Sequence, residues 1–381
     1  MSNAGEPRQA TFFQRYLLPA FALKGVIIGG GYATGRELAE YFLSHGPRGA
    51  LLAMLLATAI WSLVAALTFA FALHFRAYDY RTFMARLLGR GWIVFEVCYL
   101  LFAVLLLAVF GAAAGEVVSS IAGVPPIVGT VLLALAIAVV AGTGERTVEA
   151  MFKYVSVLLY AVYALFIVLA VASFGGLIGE GLGDATADSS WLAGGVTYGS
   201  YNIVAAIMIL PVLRHIPTRR NALAAGAIAG PMAMLPGFVF LLAMIAFYPA
   251  ILSQTLPSDF LLQQMNVPAF RILFQVMVFG ALLESGVGVV HAVNERASVA
   301  WRARRSAEPP RWLRPGLTLA LLVLCMFIAD RIGLVTLIAS GYRVMAIVFL
   351  LVFVLPLVTL GAAKLWRERA PALTSEEAAH V

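Results

Sequence analysis

Glu284 is the residue whose surroundings make its chemistry most informative. It lies in the run Phe279-Gly280-Ala281-Leu282-Leu283-Glu284-Ser285-Gly286. A charged side chain at that depth in a membrane costs about 2.5–3.5 kcal/mol even on lenient scales. A carboxyl group held there can bind an amine, coordinate a sodium ion or carry a coupled proton, or it can pair internally with Lys24. Ser285 adds a hydroxyl beside it. Gly288 and His291, four and seven residues on, fall on the same face of a helix. Lys24 lies in the first apolar run, where its ammonium either snorkels to the interface or takes part in the site.

A second group of residues interrupts helices. Gly29-Gly30-Gly31-Tyr32-Ala33-Thr34-Gly35 puts four glycines in seven residues, each disfavouring helix by about 1 kcal/mol relative to alanine. Gly194-Gly195-Val196-Thr197-Tyr198-Gly199-Ser200-Tyr201-Asn202 is a second such interruption. Lipid offers no partners to a broken backbone. Carbonyls freed near Ile28–Gly30 suit a sodium ion or an ammonium, and amides freed near Gly35 suit a carboxylate, so one broken helix offers both ends of a zwitterion a partner. Thr197, Ser200 and Asn202 supply hydroxyl and amide groups, and Tyr32, Tyr198 and Tyr201 supply aromatic walls. Thr34-x-x-Glu37 matches a capping box, which assigns Glu37 to the new helix start and leaves Thr34 able to cap and still line the site.

The elements that must position these groups are membrane helices. Of 381 residues, 62% are hydrophobic and 12% charged, against roughly 45–50% and about 25% in soluble domains. Apolar windows predict ten spans, over 17–44, 50–74, 92–120, 126–141, 150–176, 192–213, 222–249, 267–294, 314–330 and 335–361. Most of the 26 basic residues fall in alternate loops, including the arginines from Arg296 to Arg314, while the opposite loops keep Arg48 and Arg331. That asymmetry places both termini in the cytoplasm, in a multi-pass protein of the inner membrane. It also makes the net charge of +7 topological and gives no reason to expect nucleic acid. The expected layout is a cytoplasmic N-terminus (1–16), a first five-helix repeat (17–176), an outer loop (177–191), a second repeat (192–361) and a cytoplasmic tail (362–381). An odd number of spans per half inverts one half relative to the other, and glycine breaks at matching places in two such halves point to a transporter's binding site. Pro231, Pro236 and Gly237 predict a kink in the seventh span, and 301–312 reads as an interfacial segment. The sequence contains no HExxH, GxSxG or Cys/His cluster, so an enzyme is not expected, and Cys98 and Cys325 lie in apolar runs.

Two stretches, Gly29 to Glu37 and Glu284 to Arg296, resemble the YkvI-type permeases of the amino acid–polyamine–organocation superfamily. The likeness spans about residues 15–365. It implies an all-α, LeuT-type fold of ten transmembrane helices as a five-plus-five inverted repeat, with helices 1 and 6 discontinuous. It further implies secondary transport of a small amine-bearing solute, foremost an amino acid, with polyamines, organic cations or nucleobases as alternatives. A sodium or proton gradient would drive transport, with no cofactor beyond a bound sodium ion. In that fold span 8 faces the first half of span 1, which assigns the coupling ion to Glu284, Ser285, Lys24 and Ile28. In proton-coupled relatives a lysine ammonium replaces the sodium ion. Spans 1 and 10 flank the outer vestibule, which makes Arg36, Glu40 and Arg343 a candidate gate. The expected partners are the solute, the coupling cation and the lipid bilayer, in a monomer or weak homo-oligomer.

Overall fold

The computed structural model describes residues 11–28, 30–143 and 145–367. Gly29, the ends of the expected N-terminal and C-terminal segments (1–10 and 368–381) and the basic residues Arg8 and Arg369 lie outside that range. The described elements are helical throughout, as long apolar runs must be where only intrasegment hydrogen bonds are available. In chain order they are α1 (Leu18–Ile27), α2 (Gly30–Thr34), α3 (Arg36–Tyr41), α4 (Pro47–His74), α5 (Tyr80–Leu88), α6 (Trp92–Ala122), α7 (Pro126–Ala141) and α8 (Glu145–Leu182). There follow α9 (Trp191–Asn202), α10 (Ala205–Met208), α11 (Arg219–Ile245), α12 (Pro257–Met265), α13 (Pro268–Arg305) and α14 (Leu313–Ile332). The last helical segment, Leu334–Arg367, contains several π-turns and is called α15. Among the described residues, seven helical segments are long and apolar enough to cross a bilayer. The two broken segments and α7, at 16 residues, are shorter.

Proline opens α4, α7, α12 and α13 at a position whose N–H needs no helical partner. Asp79 and Thr218 cap α5 and α11 through the amides of Thr82 and Asn221. The helices pack through small residues, as membrane helices do. Along α11, Gly226 and Gly230 lie so close to Ala66 and Ser62 of α4 that an added methyl would overlap them, and Ser62 Oγ donates to the Ala227 carbonyl at 3.0 Å. Gly111, Gly115 and Gly129 bring α6 and α7 together in the same way. One group thus joins α1, α4, α9, α10 and α11, and another joins α6, α7, α13 and α14, with α8 touching both α11 and α13.

Several boundaries differ from the sequence reading. α8 continues to Leu182, so the outer loop is shorter than 177–191. α13 runs through Trp301 to Arg305 and stops at Ser306, in the left-handed region at φ 49°. The good helix formers Ala297, Ala300, Arg302 and Arg304 carry it past the apolar window. α11 is one helix through Pro231 and Pro236. The amphipathic α5 and the short α12 lack the length of a span, and a hydropathy window passes over them.

Candidate functional site

The first span breaks twice. α1 ends at Ile27, and Ile28 leaves helical geometry at ψ 81°. The chain is helical again from Gly30, earlier than the expected restart at Gly35. Gly35 makes the second break in the left-handed conformation, φ 76°, with its α-carbon against the Phe240 ring. Only glycine accepts that combination without strain. The sixth span breaks after Asn202, where Ile203 and Val204 separate α9 from the four-residue α10.

A cavity of about 340 Å³ lies where these breaks meet α6 and α13. Its wall from the first span is the end of α1, Gly25 to Ile27, together with Glu37 of α3. Tyr201, Asn202, Val204 and Ala205 of the sixth span line it, as do Tyr99, Phe102 and Phe110 of α6. α13 contributes Glu284, Ser285 and Gly288, and α15 contributes Tyr342. The lining is mainly apolar and aromatic, carries two carboxylates and includes no basic side chain among the described residues.

Glu37, read from the sequence chiefly as a helix cap, lines the cavity instead. Its carboxylate does not close a capping box: Gly35, the residue before α3, has no side-chain cap, and Thr34 Oγ1 donates instead to the Gly31 carbonyl at 3.0 Å. Glu37 is 5% exposed and reaches across to α9, where Tyr201 donates its hydroxyl to Oε2 at 2.7 Å. Oε1 packs on Gly31, and a methyl added there would overlap it. The signal was available in the triple glycine, which clears space over the backbone, but the partner sits 164 residues away.

Other expected residues fall elsewhere. Tyr32 is 1% exposed and turns to α11, its hydroxyl 3.5 Å from the Ala233 carbonyl and against Gly237. Tyr198 is buried behind Tyr201, packed on Phe42 and Trp61 with ring centroids at 4.6 and 5.5 Å. Neither provides a cavity wall, because bulky aromatics fill the interhelical space behind the breaks. Ser200 returns its hydroxyl to the Val196 carbonyl at 2.7 Å, the usual fate of serine inside a helix. Gly30, Gly31, Thr34, Gly35 and Thr197 are outside the lining, as is Ile28. His291 is exposed, about two turns along α13 from Glu284 and outside the lining. Lys24 places its ammonium 4.0 Å from the centre of the Tyr160 ring of α8, a cation–π contact instead of a snorkelled one.

On the α3 side the cavity is closed in layers. Tyr201 and Tyr342 pack at 4.7 Å and Phe102 at 6.4 Å from Tyr201. Beyond them Tyr41 donates to the Ile338 carbonyl at 2.5 Å. Arg36 pairs with Glu40 at 2.9 Å and donates to the carbonyls of Leu252 and Gln254, each at 3.0 Å. Arg343 reaches the other oxygen of Glu40 at 3.7 Å. The three residues read from the sequence as a gate therefore form one cluster. Glu96 pairs with Arg296 at 2.8 Å, tying α6 to α13. Among the described residues no group of three His, Cys, Asp or Glu could hold a metal ion.

No protein-family model matches the chain, and no curated protein sequence is significantly similar to it. Solved structures are. MhsT in complex with L-phenylalanine matches at TM-score 0.61 and 18% identity, over 95% of this chain and 99% of that one. A Na+-coupled sialic acid symporter, substrate-bound and outward-open, matches at 0.60 and 15%, over 92% and 82%. A manganese transporter of Eremococcus coleocola, in complex with an aromatic bis-isothiourea substituted compound, matches at 0.50 and 16%, over 99% and 93%. At such identities the likeness establishes the fold: this is an all-α, multi-pass membrane protein of LeuT type, discontinuous in its first and sixth spans.

Proposed function

We propose that the protein is a secondary active transporter of a small amine-bearing solute, of the YkvI type, working by alternating access. The observation that carries this reading is the cavity at the two helix breaks, lined by both Glu37 and Glu284. Its size falls within the usual range of small-molecule sites. The solute's ammonium belongs with these carboxylates and its body with Phe102, Phe110 and Tyr99. The bundle of α1, α4, α9, α10 and α11, which draws on both repeats, would rock against the rest about this fixed site. Arg36, Glu40 and Arg343 would form the outer gate, in a protein of the inner membrane with both termini cytoplasmic.

Coupling requires an ion that favours the same state as the solute. Lys24 and Glu284 both lie beside Tyr160, so a resident ammonium shares that ring with the carboxyl group expected to hold the coupling ion. That arrangement favours a proton as the driving ion and Glu284 as its carrier. The nucleobase alternative loses its support, since Tyr32 and Tyr198 stand away from the cavity. The test is uptake of amines and amino acids into proteoliposomes under an imposed proton or sodium gradient. Concentrative uptake driven by the proton gradient is expected, falling to background in Glu284→Gln. Undiminished concentrative uptake by that variant would remove Glu284 from the mechanism, and binding without flux would make the protein a sensor.

A further inference from the structure

The charge balance of the cavity narrows the solute class, on the reading of the protein as an amine transporter. A free amino acid brings a carboxylate as well as an ammonium, and that carboxylate needs a cation or free amides. The amides expected to serve were those near Gly35, and at this break the chain sets a carboxylate of its own, Glu37, against Gly31. Glu37 Oε1 packs on Gly31 so closely that no side chain could stand between them. Glu37 is more than nine-tenths buried, and no basic side chain of any described residue comes within 4 Å of it. Arg36, its neighbour in sequence, points instead to Glu40 and to the Leu252 and Gln254 carbonyls.

The hydrogen bonds leave the same gap. Tyr201 satisfies Oε2 at 2.7 Å. Asn202, which also lines the cavity, gives its amide to the Tyr198 carbonyl at 3.4 Å. Asn202 also hydrogen-bonds the Glu37 side chain, so the side-chain hydrogen bonds of that carboxylate come from the neutral groups of Tyr201 and Asn202. A buried carboxylate without a counter-charge is costly unless a cation arrives to pair with it. Around it stand the rings of Tyr201, Tyr342 and Phe102, whose faces attract cations, and Glu284 is a second carboxyl group in the same lining.

We propose that Glu37 is the anchor for the ammonium of a small organic cation that lacks a carboxylate, and that it excludes the corresponding amino acid. The carboxylate that an amino acid would bring is already built into the protein. Recognition then rests on an ammonium seated between Glu37 and the tyrosine faces, with an apolar body lying along α6.

Matched pairs that differ only by the carboxylate test this directly: phenethylamine against L-phenylalanine, and agmatine against L-arginine. Binding to the full-length, detergent-purified protein is read by thermal shift and by isothermal titration. In the wild-type protein the amine of at least one pair should bind about thirtyfold or more tightly than its amino acid, the scale set by an unpaired buried charge. Glu37→Gln should weaken the amine by a similar factor and leave the amino acid unchanged or improved. Glu37→Asp, which keeps the charge and shortens the reach, should retain the amine preference with reduced affinity and serves if Glu37→Gln is poorly folded. Amino acids binding more tightly than their amines, or amine affinity unaltered in Glu37→Gln, would overturn the proposal while leaving an amine transporter standing. No binding by either member of either pair would overturn both.

Discussion

The two halves of the first span are built from one continuous stretch of sequence and are treated in opposite ways. α3 is clamped. Arg36, Glu37, Leu38, Ala39 and Tyr41 are all buried, and its charges and hydroxyls are tied to α9, α15 and the 250–254 turn. α1 packs on α11 and α10, yet its cavity face stays open: Gly25 and Val26 are exposed, Val26 at 37%. A helix broken between such halves can hold one end fixed while the other admits solvent. The cavity is therefore closed on the α3 side of the break and open on the α1 side.

The comparison can be broken most severely at Arg36. Arg36→Leu would leave Glu40 without its close partner and free two carbonyls, and removing one member of a buried pair costs about 3–5 kcal/mol. A large fall in Tm and increased thiol labelling on the outer side are expected, and wild-type labelling would show that the cluster does not hold the outer half closed. Next in size is Gly31→Ala, whose methyl meets the Glu37 carboxylate; overpacking of this kind costs about 1–3 kcal/mol. In a Glu37→Ala background the same substitution should cost much less, so a double-mutant cycle measured by thermal unfolding exposes the contact.

Two glycines sharpen the contrast further. Gly35→Ala forces a side chain into the left-handed region, at about 1–2 kcal/mol, and into the Phe240 ring. Gly25→Ala adds a methyl that meets nothing within 4 Å and should be neutral or stabilise α1 by up to about 1 kcal/mol. Equal effects in chemical denaturation would remove the distinction between the halves.

The smallest effect concerns the loop that covers the end of α3. Thr186 accepts the amides of Arg48 and Gly49 at 3.1 and 3.3 Å, and Ser190 meets the His45 ring at 2.9 Å. Burial holds the His45 imidazole below its usual range, more than Asp188 raises it. The folded state therefore binds fewer protons than the unfolded one, so the latch weakens as pH falls below about 6.5. Asp188, held low by its bonds to Ser190, works in the same direction further into the acid range. Amide exchange at 186–190 should quicken modestly from pH 7 to pH 5 after correction for intrinsic rates. His45→Gln should flatten the upper part of that change, and an unaltered profile would exclude His45.

The break of the first span was legible because glycine acts locally. The Gly194–Asn202 run expected to interrupt the sixth span is instead helical throughout, and that span breaks just beyond it at Ile203 and Val204, where no glycine marks the place. The deep Glu284 and the Arg36, Glu40 and Arg343 cluster were legible for a related reason, since charges in apolar sequence are rare and must meet somewhere. What escaped was direction. A capping box is a local pattern, and Thr34-x-x-Glu37 satisfies it, but Tyr201 and the cleared backbone at Gly31 took the carboxylate away. Tyr32 and Tyr198 looked like aromatic walls by type, and only the packing of α11 and of Trp61 shows that they face elsewhere. The run of α13 to Arg305 was hidden because hydropathy marks where lipid ends, whereas helix propensity decides where the helix does.

The most direct test of the account is thiol labelling on the two halves, in a background with Cys98 and Cys325 replaced. Without solute, Val26→Cys should react with a membrane-impermeant maleimide presented from the inner side, and Ala39→Cys should react from neither. With a bound amine and an imposed proton gradient, labelling at Val26 should fall while outer-side labelling at Ala39 rises. Equal labelling of both positions, or labelling that ignores solute and gradient, would contradict a site that opens alternately to the two sides.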